Sequence, residues 1–110
     1  VPTRIERSAP VSQQAVAFAT AVASSDTICM SNAAAFAFIM PATASATTIT
    51  WYASHRDDGP YYPIILSSGT AASTSAVAGR VYIAPPELFS CAFVRGVAGT
   101  AVSAIVMMKT

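Results

Sequence analysis

The sequence predicts an all-β fold, a single antiparallel β-sandwich or jelly roll of about eight strands, and three observations predict it. Large side chains recur at every second position in several short segments, which is the period of a pleated strand. Clusters of Gly, Pro, Asn, Asp and Ser fall between those segments at regular intervals, as turns must. The chain has 110 residues, enough to close one core and too few for two.

In chain order, Val1–Arg7 (VPTRIER) has an extended-favouring Pro2 and two charges, Arg4 and Arg7. It reads either as an edge strand or as an arm reaching a neighbouring subunit. The domain division that follows is an N-terminal arm over 1–12 and a β-sandwich over 13–110. Ala15–Val22 places Val16, Phe18 and Val22 on one face and alanines on the other; the two-residue spacing favours a strand over the helix that alanine alone would support. Ser24–Asp26 forms a turn, Thr27–Met30 a short strand and Ser31–Asn32 another turn. Phe36, Phe38 and Met40 then alternate with Ala35, Ala37 and Ile39, so the bulky row must point to the core. Rows of alanine beside bulky rows predict sheets packed closely on the alanine side, or covered there by another chain.

The organising element is the hairpin Ala46–Ile65. Ile49, Trp51 and Ala53 share one face, Thr48, Thr50 and Tyr52 the other, and His55–Pro60 reverses the chain with Gly59 supplying positive φ. Its second arm, Tyr61–Leu66, contains Pro63, which has no N–H for a ladder and so belongs at an edge or bulge. Ser67–Gly69 turns into the small, polar strand Thr70–Val77, expected to be exposed on one face or to line an interface. Ala78–Arg80 turns into Val81–Ala84. Pro85–Phe89 reads as one helical turn, because Pro has no hydrogen to lose at a helix start. Ser90–Val97 is a strand, Gly99–Thr100 a turn, and Ala101–Met108 a strand whose near-continuous apolar character predicts burial on both faces.

Composition bounds function. Charged residues are 10% of the chain against about 25% in ordinary globular domains, while 54% are hydrophobic, much of this alanine. A surface of Ala, Ser and Thr has few charges to discourage association, which points to a chain that works in contact with partners. The net charge of +1 comes from scattered residues, so no basic stripe exists for nucleic acid. No apolar run approaches the roughly 20 residues of a membrane-spanning helix. Arg4 and Arg7 before AVAFATAVA loosely copy a signal peptide, but the apolar zone lacks Leu, and the expectation is that it is part of the domain. Cys29 and Cys91 have no metal spacing; a bridge would need the strands to bring their Cα atoms within about 7 Å, and the favoured expectation is two buried thiols from a reducing compartment.

Candidate chemistry is sparse. His55 with Ser54, Asp57 and Asp58 has the residue types of a hydrolytic triad, but all four share one turn where nothing excludes water. The carboxylates Glu6, Asp26, Asp57, Asp58 and Glu87 form no spaced catalytic pair, and Asp57 with Asp58 falls short of a calcium ligand set. Trp51, Tyr52, Tyr61 and Tyr62 could stack on a sugar, yet neighbours in a strand point to opposite faces, so one row is core. No catalytic, cofactor-binding or metal site is expected.

The segments ITWYAS, DGPYYPI, SSGTA, AGRVYIAPPELFSCAFVRGV and AGTAVSAIVMMK, spanning Ile49–Lys109, resemble a group of small virion structural proteins of tailed bacteriophages. That resemblance implies a single β-sandwich attached to the capsid or the head-to-tail region in a structural role; with the low charge and the lack of a reaction centre, the expectation is a head decoration or cement protein on the capsid surface, made in the host cytoplasm. Its partners would be the major capsid protein and copies of itself, with no nucleic acid, membrane or cofactor. Val1–Arg7 and Thr70–Val77 are the expected contact regions. The alternative is a carbohydrate-binding or adaptor module of a collar, tail or fibre, for which a glycan would be the partner.

Overall fold

A computed structural model describes residues 11–30 and 35–109. Nine strands lie in that span: β1 (Val11–Phe18), β2 (Ile28–Cys29), β3 (Ala35–Ile39), β4 (Thr47–Ser54), β5 (Tyr62–Pro63), β6 (Ser73–Ala76), β7 (Val81–Ile83), β8 (Phe93–Ala98) and β9 (Val102–Lys109). Short 3-10 turns occupy Val22–Ser24 and Pro86–Ser90. All strand pairs of the two sheets are antiparallel. One sheet has four strands in the order β1-β9-β3-β7; the other has five, in the order β2-β8-β4-β5 with β6 also on β4. The antiparallel sandwich is therefore as expected.

The alternating rows decide which faces meet. Val16 and Phe18 of β1, Phe36 and Phe38 of β3, and Ala104 and Val106 of β9 point inward from the first sheet; Ile49, Trp51, Val94 and Ala98 point inward from the second. Trp51 is fully buried and joins the layers, with edge-to-face ring contacts to Phe18 at 5.6 Å, Phe36 at 6.0 Å and Phe38 at 5.9 Å. Such pairs add about 0.5–1.5 kcal/mol each beyond area burial. The indole N–H donates to Thr74 Oγ1 at 3.1 Å, so the ring enters the core with its one donor satisfied.

β4 is the spine of the second sheet. β8 pairs along one side of it from Ile49 to Ser54, and two strands share the other side. β6 takes Thr47–Thr50 and β5 takes only Tyr52 and Ala53. At the junction the Trp51 N–H donates to Ala72 O, the Trp51 carbonyl accepts from Ile64 N–H, and Ala72 N–H donates to Ile64 O. The second arm of the hairpin is thus two residues long instead of Tyr61–Leu66, because the Trp51 N–H is taken by Ala72 and β6 claims the remaining edge, while Pro63 sits at the paired position whose nitrogen points away from β4, where its missing N–H costs no ladder bond. Gly59 in the turn has φ of 91°, as the reversal requires.

Other expectations change. The first strand runs from Val11 to Phe18 and not from Ala15 to Val22; Val22 lies in a 3-10 turn. The strand ends there because the chain folds back on its own edge, with Asp26 Oδ2 accepting from Ala17 N–H at 2.8 Å and Ser25 Oγ accepting from Ala19 N–H at 3.1 Å. Ala19 then crosses to the second sheet, its carbonyl accepting from Ala98 N–H at 2.9 Å. The sheets pack on their bulky sides, leaving the alanine rows outside. β9 is buried on one face only: Ala104 and Val106 are covered while Ser103 and Ile105 are exposed. Cys29 is exposed and Cys91 half-buried, in place of two buried thiols, because Cys29 takes the outward position beside buried Ile28 and Met30. The turn Ser31–Asn32 and most of the arm, residues 1–10, lie outside the described residues.

Candidate assembly surface

The residues with catalytic side chains are not drawn together. His55 is exposed and makes no hydrogen bond to Ser54, Asp57 or Asp58 among the described residues. Ser54 Oγ accepts from Arg56 N–H at 3.1 Å, so it closes the turn locally. Arg56 Nε lies 4.0 Å from Asp58 Oδ1, with both side chains mostly in water. Asp57 is used through its backbone carbonyl, which accepts from the Tyr61 hydroxyl at 2.8 Å. Asp26 caps a strand edge, and Glu87 sits exposed on the Pro86–Ser90 turn, its carbonyl accepting from Ser90 Oγ at 2.8 Å. Among the described residues no three His, Cys, Asp or Glu side chains converge on one point. Glu6 lies outside the described residues.

The aromatic group also divides. Trp51 is core, Tyr52 and Tyr61 are half-buried, and Tyr62 is 67% exposed. Tyr61 lies under the Arg95 guanidinium, 4.2 Å from its ring centre, which covers one ring face. No two of the three tyrosines pair with each other among the described ring contacts.

What the fold does assemble is a broad apolar face. Register places Gln13, Met107, Ala37 and Ile83 in one row across all four strands of the first sheet, and Ala15, Ile105, Ile39 and Val81 in the next. Both rows point away from the core. Ile83 is 78% exposed, Val81 57% and Ile105 46%. Neither row holds a charged residue; Lys109 stands at the margin, opposite Ala35. At this end a cleft of about 760 Å³ opens beside the face, lined by Phe36, Ile83, Pro86, Phe89, Met107 and Lys109 among others.

The opposite side of the sandwich is built differently. There the outward positions of β4, β6 and β8 carry Thr48, Thr50, Ser73 and Ser75 together with half-buried Tyr52, Phe93, Arg95 and Val97, so hydroxyl groups make up the exposed part. The small polar strand expected at Thr70–Val77 is β6, and its exposed side presents hydroxyls. The exposed positions of the two faces thus differ, hydroxyls on β4 and β6 of one sheet against Ile83, Val81 and Ile105 on the other. An uncharged patch spread over four strands is the kind of surface that marks an interaction site.

The sequence pointed to part of this face, since the alanine rows of β1 and β3, expected to be packed closely or covered by another chain, lie on it, whereas β9 was expected to be buried on both sides and contact to fall on Thr70–Val77. The signal was present in the alternation itself: when one row of β9 is core, Ile105 and Met107 must lie on the other side. No protein-family model matches the chain, and no curated protein or solved structure matches it.

Proposed function

We propose that this chain is a virion structural protein of a tailed bacteriophage, a head decoration or cement protein that stabilises the shell by binding across capsomers. The observation that carries the reading is the uncharged outer face of the first sheet, with Ile83, Val81 and Ile105 exposed on it. The resemblance of Ile49–Lys109 to small virion proteins supplies the viral context. Mechanistically, such a protein acts by burying surface against its neighbours and performs no chemistry. At about 25 cal/mol per Å² of apolar surface, covering a face of this kind on a capsomer gives useful stabilisation at each site. Repetition around a shell multiplies contacts that are individually modest. Low charge suits this role, since a crowded surface of like charges would repel.

The test is co-sedimentation of the purified chain with heads lacking decoration. Saturation at a fixed ratio, abolished by Ile83→Lys, supports the reading. A chain that ignores heads overturns it and moves the assignment to a collar, tail or fibre component, where a glycan array is the next measurement.

A further inference from the structure

We infer that the cleft at the Ala35 end of the four-stranded sheet is a binding site for a small amphipathic carboxylate, its hydrocarbon body lying along β3 and its carboxylate on Lys109. The inference goes beyond the proposed function and does not depend on it, since it concerns a ligand of the isolated chain.

Register builds the cleft as a trough. The outward residues of β3 are Ala35, Ala37 and Ile39, alternating with buried Phe36 and Phe38. Ala35 stands beside Lys109 of β9, and Ala37 lies between Met107 of β9 and Ile83 of β7. Two alanines therefore make a low floor between taller walls. β7 ends at Ile83, and the Pro86–Ser90 turn continues that wall with Pro86 and Phe89. Leu88, fully buried, pins the turn against the core, so its neighbour Phe89 is held at the cleft. In the next row Ile39 rises between Ile105 and Val81 and closes the trough at that end. With strands about 4.8 Å apart and about 3.3 Å per residue, the trough is roughly 10 Å across from β9 to β7 and roughly 13 Å long from Ala35 to Ile39. Its volume of about 760 Å³ falls among those of small-molecule sites, roughly 300–1,000 Å³.

The two ends differ in chemistry. Toward Ile39 the walls are Met107 and Ile83, with no polar side chain between them. At the Ala35 end stands Lys109, half-buried, with no ion pair or hydrogen bond from its ammonium among the described residues. No acidic side chain lines the cleft among the described residues. A lysine whose stem lies along apolar walls keeps its head at the rim. A carboxylate placed there gains a charge-assisted bond, and a hydrocarbon tail running from it toward Ile39 leaves water along the whole floor. A cationic amphipath would find the same walls and meet a like charge. A polypeptide following β3 would run into Ile39, whereas the tail of a small molecule ends there.

Titration of the full chain with decanoate, below its micellar range and followed by amide NMR spectra, tests this directly. Saturable one-to-one binding is expected, with a dissociation constant on the order of 100 μM and the largest shifts at Ala35, Ala37, Ile83 and Lys109. Decylammonium, which has the same tail and the opposite charge, should bind about fivefold more weakly or worse, and Lys109→Glu should reverse that preference. Ala37→Phe raises the floor and should abolish binding of both amphipaths; Ala35→Phe fills the open end and serves in its place if circular dichroism shows the first variant unfolded.

Equal affinity of the parent for the two amphipaths overturns the inference, as does a preference that Lys109→Glu leaves unmoved. Binding that survives the filled floor, shifts centred elsewhere on the chain, or no saturable binding at all overturns it too. The titration contains no phage heads, so each of these results leaves the proposed function standing, and a failure to bind heads leaves the trough untouched.

Discussion

Arg95 and Tyr61 meet at the same two oxygens, Thr27 Oγ1 and the Asp57 carbonyl. The guanidinium lies 4.2 Å above the Tyr61 ring centre, Arg95 Nε donates to Thr27 Oγ1 at 2.8 Å and Nη2 to Asp57 O at 3.4 Å, and the Tyr61 hydroxyl donates to Asp57 O at 2.8 Å and lies 3.3 Å from the Thr27 hydroxyl, whose own hydrogen serves that contact. Nη1 adds a bond to Val22 O at 2.9 Å. One planar cation thus ties the hairpin turn, the Val22–Ser24 turn and the residue before β2 to the middle of β8.

Arg95→Met is expected to destabilise the fold by about 1–3 kcal/mol, since several charge-assisted bonds and a cation–π contact go together. Arg95→Lys should rescue little, because a single ammonium cannot span three acceptors in a plane. Denaturant unfolding of the two variants checks this; a lysine variant as stable as the parent would show that only charge matters. The partners of Arg95 among the described residues are neutral, so the loss should be nearly independent of salt.

Gly96 faces Trp51 across the β4–β8 pair. A Cβ there would lie 2.8 Å from Phe18 Cδ1 and 3.0 Å from Ile49 Cγ2, closer than packed carbon atoms allow. Gly96→Ala is expected to cost about 1–3 kcal/mol through overpacking. Phe18→Leu in the same chain should recover part of that loss, and a double-mutant cycle by thermal melting measures the coupling. Strictly additive losses would place the strain elsewhere.

How legible the fold was follows from the same residues. Phe36, Phe38, Ile49 and Trp51 announced their face because each bulky residue is separated from the next by one small or polar residue, and a period of two leaves no other arrangement. Strand ends were less legible. Where β1 stops is decided by Asp26 and Ser25, side chains arriving from a turn beyond the strand, and periodicity carries no trace of them. The length of β5 is decided by competition with β6 for one edge of β4, a contact across a long stretch of sequence. The assembly face was legible in part: alternation required Ile105 and Met107 to face away from Ala104 and Val106, but the apolar run of Ala101–Met108 looked like burial on both sides. Sequence shows which residues share a face; it does not show whether a second layer covers it.

Trp51 is the sole tryptophan and fully buried, with its N–H on Thr74 Oγ1. Its fluorescence should be blue-shifted in the folded chain and report global unfolding. Thr74→Val leaves the indole donor without its acceptor and is expected to lower stability by about 1–3 kcal/mol, whereas Thr74→Ser keeps the oxygen and should lose well under half as much. Equal losses in the two variants would assign the role of Thr74 to its methyl group.

Asp26 guards the β1 edge, and its removal should change association more than stability. Its carboxylate takes the Ala17 N–H while its own N–H bonds the Ala17 carbonyl at 3.0 Å, so one residue occupies both edge groups that β1 would offer an incoming strand at this position. Asp26→Ala removes the side-chain bond and a negative charge from the edge together. The Ala17 amide should then exchange with solvent faster, by roughly tenfold if about 1.4 kcal/mol of local protection is lost, while the core amides of β4 and β8 keep their rates. An opened edge invites strand addition, so the variant should form larger species on prolonged incubation, and these should survive Ile83→Lys because they use the edge and not the face. Asp26→Asn separates the two effects, since its side-chain oxygen can still accept from Ala17 while the charge is gone. If Asp26→Asn matches the parent and Asp26→Ala associates, the hydrogen bond closes the edge; if both associate equally, the charge does.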